Sequence, residues 1–225
     1  MKKIILLIVF LVNFLACKEN LPQKTTADLI EQNTPQKIAS AHGLEEWKKV
    51  TQIKFTFNAD RGENHFERSW IWKPKTNDIT LITAENTLKY NQNSMDSIAL
   101  NADINFINDK YWLLAPFNLA WDKGFTFAEK SSIKAPISKK LLQQLTITYG
   151  NEGGYTPGDA YDFYYNKNLQ IEEWIFRKGN DSLPTMVTSW EDYKDYGGIK
   201  IATKHQNPEG TFALYFTNIE VEKEE

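Results

Sequence analysis

The sequence predicts a mainly β domain of the α+β class, built as a strongly curved antiparallel sheet or half-open β-barrel of about eleven strands. Two observations carry this prediction. Short runs in which apolar and polar residues alternate recur along the chain and are separated by turn residues, which is typical of an antiparallel meander. Only two segments show helical spacing, and we expect two or three short helices to cover the mouth or the concave face of the sheet.

The first helical segment precedes the first strand. Thr34 and Pro35 have the residue types favoured at an N-cap and at the first helical position. Apolar residues then recur at helical spacing, with a break or turn at Gly43. The pattern predicts a short helix that packs one face against the sheet. The stripe consists of Ile38, Ala41, Leu44, Trp47 and Val50.

The second helical segment lies in the middle of the chain. Ile104, Ile107, Tyr111 and Leu114 fall on one helical face. Because proline lacks a backbone N–H and its ring clashes with the preceding turn, we expect this helix to end before Pro116. It should lie against the sheet or plug its open end.

The strand-like runs are recognised by their alternation. In the last run the apolar positions switch parity between Phe216 and Ile219, which predicts a bulge where the sheet curls. The predicted strands lie near residues 53–57, 66–72, 79–81, 86–91, 97–100, 144–149, 160–166, 170–177, 185–193, 198–205 and 210–222.

The amino terminus has the pattern of a signal peptide. Lys2 and Lys3 precede an apolar run from Ile4 to Ala16. A membrane-spanning helix needs about 20 apolar residues, so this run is too short. Its end looks like a lipobox, and we expect cleavage after residue 16 and attachment of a lipid such as palmitate to the Cys17 sulfur. The alternative is an ordinary secretory signal followed by a chance cysteine.

Composition limits the organisation and the partners of the rest of the chain. Residues 17–33 are mostly polar and predict a flexible tether, and residues 34–225 suit a single β domain. Removing Lys2 and Lys3 with the signal leaves 24 basic against 29 acidic residues, a net charge of −5. A mildly acidic chain argues against nucleic acid as a partner. Cys17 is the only cysteine, so we expect no disulfide and no cysteine-based catalytic or metal site.

Several segments carry a resemblance to a known fold. The opening helix contains the run 42–47, the run 111–119 begins in the second helix, and the loop 154–159 is followed by the strand 161–165 and by Trp174. Together with the lipobox and the aromatic strands, these segments resemble the LolA/LolB-like superfamily of lipoprotein carriers and receptors. Within that fold the chain is similar to an uncharacterised family of bacterial outer-membrane lipoproteins.

The resemblance covers roughly residues 35–222 and implies both a fold and a function. It implies a half-barrel of about eleven strands around an apolar cavity, with helices as a lid, and in the carriers that cavity holds lipoprotein acyl chains. A lipid-anchored chain is nearer to the LolB-type receptor, which is itself a lipoprotein, although the exposed apolar loop of that receptor is not identifiable here. We therefore expect an exported protein anchored to the outer membrane by its lipid, on either face.

Aromatic residues of the strands and of the second helix are the candidate ligand-binding residues. They line a pocket if the curved sheet is incompletely filled, and they form an ordinary core if it is filled; the sequence leaves both interpretations open. Two interpretations are open for Arg68 and Arg177. Their guanidinium groups contact aromatic rings or an acidic head group of the ligand, or they pair with a carboxylate at the rim of the barrel. The candidate cavity-lining residues are Phe55, Phe57, Phe66, Arg68, Trp70, Trp72, Trp112, Phe117, Trp174 and Phe176.

The sequence contains no recognisable catalytic or metal-binding motif. The three histidines, His42, His65 and His205, lie in different predicted elements without the spacing of a zinc site. Four carboxylates near one predicted hairpin are the candidates for a hydrolase or a calcium site, although charges beside a turn are the commoner interpretation. These carboxylates belong to Asp159, Asp162, Glu172 and Glu173.

Two tripeptides, at residues 96–98 and 181–183, resemble a short motif for O-glycosylation of exported bacterial proteins. They read Asp96-Ser97-Ile98 and Asp181-Ser182-Leu183. Matches of this length also arise by chance.

Three hypotheses of function remain. The first is a lipid-anchored envelope protein that binds a lipid, an acyl chain or an acylated protein in its cavity, without enzymatic activity or cofactor. The second is an interaction or scaffold module with a filled barrel, whose partners bind its loops or an edge strand. The third is a hydrolase. A continuous cavity larger than about 300 Å³ favours the first, a packed interior the second, and a cleft with converging carboxylates the third.

Overall fold

The computed structural model describes residues 32–151 and 157–224, and residues 32–225 form one compact unit. The predicted signal peptide, Cys17 and nearly all of the predicted tether lie outside the described residues, as does the first half of the loop 154–159. The helices are α1 (Thr34–Ala41), α2 (Leu44–Trp47) and α3 (Ser97–Trp121), and a 3₁₀ turn covers Lys178–Asn180. The strands are β1 (Val50–Arg61), β2 (Asn64–Lys73), β3 (Asp78–Ile82), β4 (Thr87–Asn91), β5 (Phe125–Lys134), β6 (Leu141–Tyr149), β7 (Ala160–Tyr165), β8 (Ile171–Arg177), β9 (Met186–Ser189), β10 (Glu191–Asp195), β11 (Lys200–Gln206) and β12 (Phe212–Lys223).

The strands form two antiparallel sheets. The large sheet has seven strands in the order β10-β11-β12-β1-β2-β3-β4, and the small sheet has five in the order β5-β6-β7-β8-β9. β9 pairs with β8, and β10, which follows after Trp190 alone, pairs with β11. One stretch of chain therefore joins the two sheets, and the predicted single strand at residues 185–193 is divided at Trp190. The described residues form an open, curved β structure with helices rather than a closed barrel, as predicted.

The first helical segment has the predicted break. The N-cap is Asn33, one residue before the predicted Thr34. Its side chain accepts from the Gln36 backbone N–H, and the Gln36 side chain accepts from the Asn33 N–H, which satisfies two of the free donors of the first turn. Gly43 separates α1 from α2 with φ +104°, in the left-handed region. A Cβ at Gly43 would lie 2.0 Å from the carbonyl oxygen of Gly198, so only glycine fits this turn.

The predicted bulge in the last strand is confirmed. β1 pairs with β12 along its length, and the register shifts between Lys54, which faces Glu220, and Thr56, which faces Thr217. Asn218 lies in this interval with φ +51°. The bulge lets apolar residues on both sides of it face the interior although their parity differs.

The prediction for the second helix was wrong at both ends. α3 has 25 residues, begins at Ser97 where a strand was predicted, and continues past Pro116 to Trp121. Proline breaks the regular geometry locally: Leu114 has φ −126° and ψ 21°, and a second helical stretch follows. Among the described residues, no helix combines the length and the apolar character needed to cross a membrane.

β5 was not predicted. Nearly all of its residues are exposed, and the stretch carries Glu129, Lys130 and Lys134, so apolar alternation is absent. It forms an edge of the small sheet, where charged side chains disfavour pairing with other chains. With β5 and the division at Trp190, the described residues hold twelve strands, close to the predicted number.

The helix α3 lies between two hydrophobic cores. Phe106 and Phe117 of α3 pack into the core of the large sheet, whereas Ala115 and Leu119 pack into the core of the small sheet. Trp112 packs against both cores. The aromatic residues buried in the large-sheet core are Trp47, Phe55, Phe57, Trp70, Trp72, Phe106, Phe117 and Phe216, and those buried in the small-sheet core are Tyr161, Phe163, Tyr165, Trp174 and Trp190.

Candidate functional site

A cavity of about 730 Å³ lies between α3 and the inner face of the small sheet. Its size is within the range of roughly 300–1,000 Å³ that holds small ligands. Its apolar wall combines residues of α3, β8 and β9, and its polar side comes from the end of α3 and of β6. The apolar lining residues are Ile104, Ile107, Trp112, Trp174, Phe176 and Met186.

The alternation of the strands brings the aromatic residues to this wall. Trp174 and Phe176 are two residues apart on β8 and face the same side, and Tyr161 of β7 stands opposite Phe176 in the register. The Trp112 and Trp174 rings are 4.5 Å apart between centroids, and those of Tyr111 and Tyr161 are 4.9 Å apart. These contacts between α3 and the sheet make a stiff aromatic wall.

The polar side of the cavity contains a chain of hydrogen bonds. Tyr149 Oη donates to Asp122 Oδ2 at 2.6 Å, Tyr111 Oη lies 3.4 Å from Tyr149 Oη, and Asn118 Nδ2 lies 3.4 Å from Asp122 Oδ2. Burial raises the pKa of both tyrosines, and Asp122 adds to the rise, so both hydroxyls stay protonated. Asn118 Oδ1 is buried without a hydrogen-bond partner among the described residues.

A single half-buried ammonium group also lines this cavity. Lys110 Nζ lies 5.5 Å from the centre of the Trp72 ring and 5.9 Å from that of Trp121, within the range of cation–π attraction. Burial lowers the pKa of Lys110, and the negative charges of Asp122 and Asp103 partly offset this by raising it.

The structure brings three of the ten candidate lining residues to the cavity: Trp112, Trp174 and Phe176. Phe55, Phe57, Trp70, Trp72 and Phe117 are buried in the large-sheet core instead. They are there because β1 and β2 turn their aromatic faces towards α3, which fills the concave side of the large sheet.

The remaining two candidates lie at the edge of the large-sheet core. Arg68 lies over the rings of Phe57, Phe66 and Trp70 at 5.4, 5.1 and 5.9 Å and also forms an ion pair with Asp109 of α3. Arg68 therefore makes both predicted kinds of contact, with aromatic rings and with a carboxylate. Phe66 is 49% exposed.

Sequence reasoning missed most of the polar lining. Ile107 and Tyr111 belong to the predicted helical stripe, so the sequence predicts their position on the inner face of α3. Asn118 and Asp122 were not predicted, because their position depends on the helix continuing past Pro116. Lys110 was not predicted, because its ammonium is placed by tertiary contacts with two tryptophan rings. A polar residue within an apolar helical run, such as Asn118 between Phe117 and Leu119, was the available signal.

The three histidines contact backbone carbonyl or carboxylate oxygens of the fold. His42 is buried, its Nδ1 lies 2.8 Å from the Ile38 carbonyl oxygen, and burial lowers its pKa to about 4. Burial lowers the pKa of His205 to about 3, and its Nδ1 lies 3.2 Å from the Ser189 carbonyl oxygen. His65 is exposed, and its contact with Asp60 raises its pKa. Across residues 32–151 and 157–224, no cluster of three or more His, Cys, Asp or Glu residues could hold a metal ion.

The four carboxylates considered for a hydrolase are held by structural contacts. Asp159 accepts from the Gly179 N–H at 2.7 Å, and Glu172 pairs with Lys140 at 2.9 Å. Glu173 accepts from two backbone N–H groups of the β5–β6 turn, at 2.6 and 2.9 Å.

Asp162, the fourth carboxylate, accepts from Thr146 Oγ1 at 2.5 Å and from Arg177 Nε at 3.0 Å. Asp162 stands opposite Ile175 and Glu173 opposite Tyr164, on the face of the sheet away from the cavity. Arg177 thus pairs with a carboxylate.

The two tripeptides have local structural roles. Asp96 caps α3, since its side chain accepts from the Ala99 N–H at 2.8 Å, and Asp181 Oδ1 accepts from the Leu183 N–H at 3.1 Å. Their modification stays a prediction.

The chain is similar to known proteins in its fold and not in its sequence. No protein-family model and no curated protein sequence matches the chain. A LolA superfamily protein from Nitrosomonas europaea superposes with a TM-score of 0.52, over 86% of this chain and 96% of that chain, at 10% sequence identity. The chain has a LolA-like fold.

Two further solved structures superpose less well on this LolA-like chain. A DUF1329 family protein from Desulfovibrio piger gives a TM-score of 0.44 at 11% identity, over 85% of this chain and 94% of that chain. An outer membrane lipoprotein-sorting protein domain from Vibrio parahaemolyticus gives 0.48 at 9% identity, over 84% and 94%.

Proposed function

We propose that this LolA-like protein binds the apolar part of a lipid or of an acylated protein in the cavity between α3 and the small sheet. The cavity itself carries the proposal, because about 730 Å³ bounded by Ile107, Trp112, Trp174 and Phe176 is enough for a flexible hydrocarbon chain. The LolA-like fold supports the same conclusion, since lipid or lipoprotein carriers use that fold.

The expected affinity follows from the area that a hydrocarbon chain would bury. Each methylene removed from water contributes about 0.8 kcal/mol, so about ten buried methylenes contribute about 8 kcal/mol, which corresponds to a Kd of about 1 μM before the cost of ordering the chain. A reversible carrier or receptor needs an affinity of this order, because it must release what it binds.

Localisation is part of the same proposal. The signal-like run and the lipobox-like Ala16-Cys17 support export and a lipid anchor at Cys17, and the polar residues 17–33 support a tether between the membrane and the domain. The protein would then hold its cavity near the outer membrane, with the membrane and a lipid or acylated protein as its partners. It needs no enzymatic activity or cofactor for this role.

The proposal is tested with residues 32–225, which form one compact unit. The fragment is titrated with N-phenyl-1-naphthylamine, a neutral probe that fluoresces in apolar surroundings, and molecules that co-purify from the native host are identified by lipid mass spectrometry. We expect saturable probe binding with one site and displacement by lipids. An interior that takes up no probe and no lipid would contradict the proposal and direct attention to protein partners of the loops.

A further inference from the structure

The ammonium of Lys110 lies at the cavity without an anionic partner among the described residues. Lys110 forms no ion pair with any carboxylate in residues 32–151 and 157–224, although lysines elsewhere in the fold do. Its Nζ is held over the Trp72 and Trp121 rings instead. A cation that has lost part of its hydration gains most from an anion brought next to it, because the Coulomb attraction is stronger where water is excluded.

The acidic residue that lines the same cavity forms no ion pair with this cation. Asp122 also lines the cavity, but its Oδ2 accepts from Tyr149 at 2.6 Å and lies 3.4 Å from Asn118 Nδ2. Lys123 lines the same cavity on its exposed rim. Among the residues that the structure describes, the charged groups that line the cavity are thus two lysines and one aspartate, and their net charge favours an anion.

A second polar group at the cavity is also unsatisfied. Asn118 is 5% exposed, lines the cavity, and its Oδ1 has no hydrogen-bond partner among the described residues. A buried carbonyl oxygen without a donor costs about 1–3 kcal/mol, so a bound O–H or N–H group would be favourable there. The polar side of the cavity therefore offers one cation and one free acceptor, both supplied by α3.

We propose that Lys110 binds the anionic head group of an amphiphile whose hydrocarbon chain occupies the cavity, and that Asn118 Oδ1 accepts from an O–H or N–H group beside that head. The inference rests on the proposed function and adds the class of ligand to it. A carboxylate or a phosphate ester has the required charge, and an alcohol or a sterol does not. Lipids with a cationic head would meet Lys110 as a like charge.

The experiment compares ligands that differ only in the head group. N-phenyl-1-naphthylamine bound to residues 32–225 is displaced with dodecanoate or dodecyl phosphate below the critical micelle concentration, or with dodecanol below its solubility limit. We expect both anions to displace the probe at concentrations at least about tenfold lower than dodecanol, since a hydrogen bond to a charged group is worth that much. The ratio between dodecanoate and dodecyl phosphate separates a fatty acid from a phosphate-headed lipid as the source of the anion.

Three variants test whether Lys110 causes the preference for anionic ligands over dodecanol. Lys110→Met keeps the apolar stem over the tryptophan rings but removes the charge, and it should bring the anions and dodecanol to within about twofold of each other. Lys110→Arg keeps the charge and should keep the preference. Lys167→Met, an exposed lysine on the β7–β8 turn, makes the same change of net charge away from the cavity and should leave the ratio unchanged.

The outcomes separate the two proposals. If dodecanol and the anions bind equally to the native domain, or if Lys110→Met keeps the preference, the head-group inference is overturned while hydrocarbon binding stands. If none of the three ligands and no probe binds, both proposals fail together. Binding of all three with an anion preference that only Lys110→Met abolishes supports both.

Discussion

Arg68 of β2 and Asp109 of α3 form a bidentate ion pair between the large sheet and the helix. Arg68 Nε and Nη2 donate to Asp109 Oδ2 and Oδ1 at 2.5 and 2.7 Å, and Trp70 Nε1 donates to the same carboxylate at 2.8 Å. Asp109 is fully buried and the Arg68 side chain is 14% exposed. This pair fixes α3 along the sheet, and through α3 it fixes the wall of the cavity.

Loss of the buried carboxylate should be costly. Asp109→Ala leaves the Arg68 guanidinium and Trp70 N–H without their acceptor, and we expect a loss of about 3–5 kcal/mol in the free energy of unfolding measured with urea. Glu220→Gln, in the exposed pair with Lys54, is the matched control and should cost less than about 1 kcal/mol. Equal effects of the two substitutions would show that the buried pair does not hold α3.

The buried histidines should make the domain sensitive to acid. Burial lowers the pKa of His205 to about 3 and that of His42 to about 4, from an ordinary 6.5. The unfolded chain therefore binds protons that the folded chain does not, so stability is complete above pH 6.5 and falls as the pH drops towards the folded-state values. Each histidine should cost about 2 kcal/mol between pH 7.5 and pH 5.

Urea unfolding at pH 7.5 and pH 5 measures this loss. His205→Gln should reduce the difference between the two pH values, since glutamine does not titrate. His65→Gln, at an exposed histidine whose pKa is raised by Asp60, should not reduce it. A difference that His205→Gln leaves intact would assign the acid sensitivity to other groups.

Two glycines with positive φ should differ in their response to alanine. Gly43→Ala places a Cβ 2.0 Å from the Gly198 carbonyl oxygen at φ +104°, and we expect a loss of at least about 3 kcal/mol because backbone must move. Gly62→Ala at φ +58° meets nothing within 4 Å and should cost only about 1 kcal/mol. Thermal unfolding of both variants tests the close approach of α1–α2 to the β10–β11 turn; similar melting temperatures would contradict it.

Filling the cavity should weaken binding without unfolding the domain. Met186→Trp adds a large ring at the cavity wall, and we expect the Kd for N-phenyl-1-naphthylamine to rise at least about tenfold. Val187→Trp makes a similar change one residue further, where alternation turns the side chain to the other face of β9, and it should leave the Kd within about twofold. Equal loss in both variants would argue against this cavity as the binding site.

The proposed lipid anchor is tested at Cys17, the sole cysteine of the sequence. Cys17→Ser removes the sole thiol of the chain, so radiolabelled palmitate should no longer be incorporated, and the protein should move from the membrane to the soluble fraction. Incorporation that persists in the variant would place the lipid elsewhere.

Features with local causes could be predicted from the sequence. Alternation marked most of the strands because one of their faces is buried, and the parity switch between Phe216 and Ile219 located the bulge. Gly43 marked the break between α1 and α2. These signals depend on a few neighbouring residues, which the sequence displays directly.

Features that depend on distant contacts could not be predicted. The helix α3 continues past Pro116 because Phe117 and Leu119 are buried in two cores, and this packing outweighs the lost hydrogen bond. β5 lacks alternation because nearly all of its side chains are exposed. The position of Lys110 over Trp72 and Trp121 depends on contacts formed only in the tertiary fold, so no local sequence pattern predicts it.

Trp112 belongs to both cores, since its indole packs against the large-sheet core as well as the small-sheet core. The two sheets consequently share a side chain and are also joined by the stretch of chain that passes through Trp190. Neither sheet can lose its packing without exposing part of the surface that stabilises the other. The domain is therefore one cooperative folding unit despite its two sheets, and damage to either one lowers the melting temperature of the whole.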